Sequence, residues 1–257
     1  MSVAAVATGA PLALADDLGS AKPADVLAKA KTALAQVKSL HVAGTELDKG
    51  DKAPTKIAGT FTSSGPADFT ISGGKASARL IALPSALYIK ANESYWKSVG
   101  DKSSRAIAAK LAGKWIKMPA SSGEDATSGL ADLSPKHLAS CLDSHVGTLS
   151  NKGVRTVGGG QKVVVLADAG DKPGTAPGQL WIDERTGLPV REVQSGPAKA
   201  GGKKDSACDD EWPPVTQKSD ATLSRFGKTA KITAPKGAVS PKQAVGGGSG
   251  SGGSNPV

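Results

Sequence analysis

An α+β fold with antiparallel strands is predicted by three features of the sequence. In one leading and one central section, apolar residues recur at spacings of three and four, the pattern of amphipathic helices. Elsewhere the apolar period drops to two, in about ten short runs. Most of those runs are joined by connections too short for the crossovers that parallel strands need.

The leading helix is expected over 23–40, PADVLAKAKTALAQVKSL, where Val26, Ala30, Ala33, Leu34, Val37 and Leu40 form one stripe. Pro23 and Asp25 suit its first turn. From His41 the period changes, and HVAGTEL, KIAGTFTS, ADFTIS, KASARLIAL and ALYIKAN read as five strands at meander spacing. After Tyr95 and Trp96 comes a helical stretch with Ile107, Ala108 and Leu111, then a short extended segment, KWIKMP. A Ser/Gly-rich loop leads into a second central helix carrying Leu130, Leu133, Leu138, Cys141, Leu142 and Val146. About five further strands follow: VRTV, KVVVLAD, GQLWID, LPVREVQ and ATLSRFG. The Thr-Gly step inside DERTGLPVREVQ marks a hairpin with Gly187 at positive φ.

The chain of 257 residues carries 32 Lys+Arg against 23 Asp+Glu, a net charge of +9, and 39% hydrophobic residues. That is ordinary globular composition. No apolar run reaches the length of a conventional membrane helix. Residues 2–15, SVAAVATGAPLALA, hold no charge and end Ala13-Leu14-Ala15 before two aspartates, the shape of a signal-peptide apolar region and cleavage site. The basic segment that normally precedes such a region is missing, and a weakly helical or disordered start is the other reading. No cysteine lies at the cleavage position to carry a lipid. A secreted or extracytoplasmic protein is therefore expected, with residues 1–15 as a leader remnant. The run from Gly246, GGGSGSGGSNPV, is expected to be a flexible tail over 246–257, its G-x-G-x-x-G match an accident of composition. Residues 16–245 are read as one domain.

Cys141 and Cys208 are an even pair, and in an exported chain such a pair points to a disulfide. Two separate thiols are the competing reading. No C-x-x-C spacing supports redox catalysis. No serine stands in a G-x-S-x-G elbow to work with His41, His137 or His145. His137 and His145 lack the Glu/His pattern of a zinc protease. Asp205 with Asp209, Asp210 and Glu211 lacks the glycine turn and ligand spacing of a calcium loop and reads as a solvated charge run. Non-enzymatic action without a cofactor or metal is expected. The lysines are scattered and no nucleic-acid motif is present, so nucleic acid is not an expected partner. A diffuse positive field fits an anionic envelope surface, or serves solubility alone.

A starting helix that ends AQVKSLHVAGT, the central GKWIKMP and the late LWIDERTGLPVREVQ together resemble the actinobacterial cell-envelope lipoproteins of the LppX and LprG type. The likeness extends more remotely to the LolA and LolB lipoprotein carriers. Lys114-Trp115 and Trp181-Ile182-Asp183 with Gly187-Leu188-Pro189 carry it, in an element order that runs from about Pro23 to Pro235. The resemblance implies a strongly curved antiparallel sheet, an unclosed half-barrel with helices packed in its mouth. It also implies a space between sheet and helices for the acyl chains of lipids or lipidated proteins. The family's lipidated N-terminal cysteine has no counterpart here.

Alternation places Leu80, Leu87, Ile89, Val163, Val165, Leu180, Ile182 and Leu223 on one strand face and Arg79, Lys90, Gln179 and Asp183 on the other. The first set is expected to face the helices and, with Leu111, Leu133 and Leu138, to line an apolar cavity. The same face also reads as plain core, packed by the helices with no room for a ligand. Trp96, Trp115 and Trp181 are expected to serve packing. The leading functional expectation is a monomeric carrier that holds a lipid or other apolar ligand. The alternative is an envelope sensor or protein-interaction module on the same fold.

Overall fold

The computed structural model describes residues 17–99, 102–119, 134–205, 208, 215–228 and 231–246. The expected leader, most of the expected tail and the loop ahead of Ser134, with Leu130 and Leu133, lie outside these residues. Helix α1 (Pro23–Ala35) opens with Pro23 and buries Val26, Leu27, Ala30 and Leu34. The chain then runs through β1 (Ser39–Asp48), β2 (Thr55–Thr62), β3 (Ala67–Gly73), β4 (Ala76–Leu83) and β5 (Ala86–Ala91). Two short helices, α2 (Glu93–Val99) and α3 (Lys102–Leu111), precede β6 (Trp115–Pro119). Helix α4 (Pro135–Cys141) leads to β7 (Leu149–Thr156), β8 (Lys162–Ala169), β9 (Pro177–Asp183), β10 (Pro189–Gln194) and β11 (Thr216–Ser224). A four-residue helix, α5 (Pro241–Ala244), follows.

All eleven strands join one sheet in the order β6-β5-β4-β3-β2-β1-β11-β10-β9-β8-β7, and the strand pairs are antiparallel. The chain lays strands outward from β1 to one edge, crosses to the other edge and returns inward, so β1 and β11 meet at the middle. The two outer strands are not paired with each other, which leaves the sheet unclosed. Each edge is covered locally, as exposed strand edges require. Asn151 on β7 donates to the carbonyls of Leu18 and Ala21 at 3.0 and 2.9 Å. On β6, Lys117 N donates to Val239 O at 2.8 Å and Val239 N to Trp115 O at 2.9 Å.

The helix-facing side of the sheet divides in two. Over β1–β6 it is filled by Phe61, Phe69, Leu80, Leu87, Ile89 and Ile116, packed with Trp96 of α2 and Leu111 of α3. Over β7–β9 a second cluster sets Val164, Leu166 and Ile182 against Val26, Leu27 and Ala30 of α1. On the other side Arg79 lies over Trp115 and Arg191 over Trp181, with 5.9 and 4.9 Å to the ring centroids. Each arginine also forms a forked pair, with Asp68 and Asp220 respectively.

The leading helix, expected over 23–40, ends at Ala35, and Leu40 of its expected stripe lies in β1. The second central helix is shorter than its apolar spacing predicts: it ends at Cys141, and His145 adopts φ 52° before β7 begins at Leu149. His137 and His145 therefore do not share a helix. KWIKMP is a full member of the sheet, pairing with β5 from Lys90↔Trp115 to Ala86↔Pro119. Val163 and Val165 stand opposite Asp183 and Trp181, while Val164 and Leu166 stand opposite Ile182 and Leu180. Directly opposed residues share a face, so Val163 and Val165 point away from α1. They are fully buried there, but not in the face assigned to them from the sequence.

Candidate cavity between the helices and the C-terminal strands

The same face that is packed solid over β1–β6 is hollow over β9–β11. The reason lies in the residue types. Gly178 and Leu180 on β9, Glu192 and Gln194 on β10 and Ala221 on β11 are register partners on this face. Glycine, alanine and two polar chains do not fill the layer that Phe61 and Phe69 fill elsewhere. A half-enclosed cavity of about 320 Å³ results, at the small end of the range for ligand sites. Leu27 and Leu34 of α1 and Leu138 and Leu142 of the α4 region form its roof, and Leu166, Leu180 and Leu223 its sheet wall.

The roof is held by several specific contacts. Ser134 caps α4, accepting from His137 N at 3.2 Å, and Pro135 occupies the first turn. The Cys141–Cys208 disulfide ties the end of α4 to the long loop between β10 and β11. Ser144 Oγ donates to Asp205 Oδ2 at 3.2 Å, a second link to that loop. Beyond His145, Asp168 accepts from Gly147 N at 2.9 Å and Gly170 N at 2.8 Å, and Asp171 accepts from Thr148 N at 2.7 Å. A side chain at Gly147 would meet Asp168 Oδ1 at 2.5 Å, so any larger residue must displace that carboxylate.

Two carboxylates line the cavity. Asp168 accepts from the backbone N–H groups of Gly147 and Gly170. Glu192 has no hydrogen bond or ion pair among the described residues. Glu192 is exposed, and the surface it exposes borders the half-enclosed cavity. Desolvation pushes its carboxyl pKa above the ordinary value.

Of the residues expected to line a cavity, Leu138, Leu180 and Leu223 do so. Leu80, Leu87, Ile89 and Leu111 belong to the packed N-terminal half and Ile182 to the cluster under α1. Val163 and Val165 point away, and Leu133 lies outside the described residues. Trp115 and Trp181 sit beneath arginines on the far face and Trp96 is core, so none of the three borders the cavity. Cys141, next to the roof leucines, is a lining residue as well as a disulfide partner. Sequence reasoning missed Glu192. Its one visible signal was a charge at an inward position of an alternating strand. Among the described residues, no three His, Cys, Asp or Glu side chains cluster to hold a metal ion.

No sequence family and no curated protein sequence matches the chain. Solved structures do. LprF of Mycobacterium bovis superposes with a TM-score of 0.51 at 16% identity, over 82% of this chain and 95% of LprF. The lipoprotein LppX of Mycobacterium tuberculosis gives 0.47 at 14% identity, over 82% and 100%. A LolA superfamily protein of Nitrosomonas europaea gives 0.26 at 9%, over 84% and 99%. At these identities the likeness is one of fold. What the superposition on LprF shows is a shared fold, which in this chain is an unclosed antiparallel sheet with helices against one face.

Proposed function

We propose that this protein is a non-enzymatic carrier that holds a lipid or other apolar ligand between its sheet and helices outside the cytoplasm. The observation that carries the reading is the cavity itself. It is roofed by leucines of α1 and α4, walled by leucines of β8, β9 and β11, and sits where residue types leave the sheet face unfilled. Burial of chain methylenes there would contribute about 0.8 kcal/mol each, and no covalent chemistry is required. The fold shared with LprF is compatible with the reading.

The test is Leu180→Trp, which places an indole in the cavity. Native mass spectrometry of protein purified from its own host, followed by organic extraction, should show an acyl-containing adduct on the unmodified chain. The variant should lose it while melting within a few degrees of the parent. An unmodified chain that stays free of adduct after incubation with envelope lipids would remove the carrier reading.

A further inference from the structure

The protein carries 32 Lys+Arg and a net charge of +9, yet among the described residues lining its cavity there is no lysine and no arginine. The titratable side chains there are the carboxylates Asp168 and Glu192 and the imidazole of His145. Asp168 is spent on the backbone N–H groups of Gly147 and Gly170. Glu192 is not spent. It stands between Leu180 on one neighbouring strand and Ala221 on the other, facing the leucine-lined space with no hydrogen-bond partner among the described residues.

A carboxyl group in apolar surroundings is stabilised when a donor reaches it. Among the described residues no donor bonds Glu192, and an anionic group entering the same space would meet its carboxylate with no lysine or arginine in the described lining to offset it. From this geometry we propose that Glu192 is the polar anchor of the cavity. It selects apolar ligands that bear a hydrogen-bond-donating, non-anionic group, an amine or a hydroxyl, over ligands ending in a carboxylate or phosphate. The inference rests on the carrier reading and deepens it, by assigning which head chemistry the cavity accepts.

The test uses the full chain and three probes of one chain length, dodecylamine, dodecanol and dodecanoate. All are used below their micelle concentrations at neutral pH, and each displaces the neutral fluorophore N-phenyl-1-naphthylamine. The amine and the alcohol should compete at concentrations about tenfold lower than the carboxylate, a difference of the size one charged or donor contact makes. In Glu192→Leu all three should still compete, with the spread reduced to about threefold or less. Glu192→Gln preserves size and an acceptor but removes the charge. It should keep the alcohol's rank, abolish the amine's advantage over the alcohol, and serve if the leucine variant does not fold. A wild-type ranking that puts the carboxylate first or equal, or a ranking unchanged in both variants, would overturn the anchor and leave the carrier reading standing. Failure of the parent to take up the fluorophore or any of the three chains would overturn the carrier reading, and the anchor with it.

Discussion

Glu192 and Asp168 are both carboxylates on the cavity wall, and their surroundings set them apart. Asp168 accepts the backbone N–H groups of two glycines, that of Gly147 shared between both oxygens, whereas Glu192 has no hydrogen bond among the described residues and its carboxyl pKa is raised by desolvation. A raised carboxyl pKa means that folding favours the protonated form. Between the ordinary value of about 4.3 and the higher native value, the folded state binds more protons than the unfolded chain. The contribution of Glu192 to stability is therefore fully present below that window and is lost as pH rises through it. Glu192→Gln should flatten this component. Melting both proteins from mildly acidic to neutral pH checks it: the parent should lose more stability over the interval than the variant, and parallel curves would show that the carboxyl is not desolvated. Asp183 has the opposite sign. Burial pushes its pKa up, but hydrogen bonds from Gln161 and Thr186, with the Arg185 charge, outweigh it and hold it below the ordinary value. Its contribution is present above the ordinary carboxylate value and fades as pH falls through the native one.

At the scale of the element, the β9–β10 hairpin is the most self-contained unit of the sheet. Thr186 N and Oγ1 both donate to Asp183 Oδ1 at 2.8 Å, Gly187 N donates to Asp183 O at 2.8 Å, and Gly187 takes φ 71°. Asp183→Ala removes the acceptor of both Thr186 bonds and should cost about 1–2 kcal/mol, read from denaturant midpoints at unchanged slope. The α4–β7 connection depends on Gly147 in a different way, through contact and not through backbone angle. Gly147→Ala should push Asp168 away and loosen the cavity roof, seen as faster amide exchange at Thr148 and Gly170 than in the parent. This hairpin was legible because a Thr-Gly step between alternating flanks admits few conformations. The α4 connection was not: Leu142 and Val146 continue a helical spacing, and only contacts to Asp168, Asp171 and the loop carrying Asp205 stop the helix at Cys141.

For the whole molecule, the disulfide is the longest-range covalent tie, bridging residues 67 apart between the cavity roof and the β10–β11 loop. In the chain-entropy picture a closure of that length contributes about 4 kcal/mol. The double substitution Cys141→Ser and Cys208→Ser should lower stability toward that amount, by urea unfolding. Apolar-probe binding should weaken as well, because the roof loses its anchor to the loop. A roof that binds as before without the disulfide would mean that the contacts of Ser144, Gly147 and Thr148 hold it alone.

The sequence by itself determined the element order through β5 and the hairpin at Gly187, and it favoured the pairing of the two cysteines, which the structure shows. These follow from local periodicity, turn chemistry or the absence of any other partner. It also determined the inward face wherever a strand alternates cleanly, as for Leu80, Leu87 and Ile89, or Leu180 and Ile182. It did not decide the face of β8, because Val163-Val164-Val165-Leu166 is apolar at every position and has no period to read. Only the register with β9 chose Val164 and Leu166. Nor did it decide where packed core gives way to cavity. That boundary depends on which side chains meet across the sheet from the helices: Phe61 and Phe69 fill one half, while Gly178, Ala221, Gln194 and Glu192 leave the other open. Those neighbours are far apart along the chain, and tertiary structure alone brings them onto one surface.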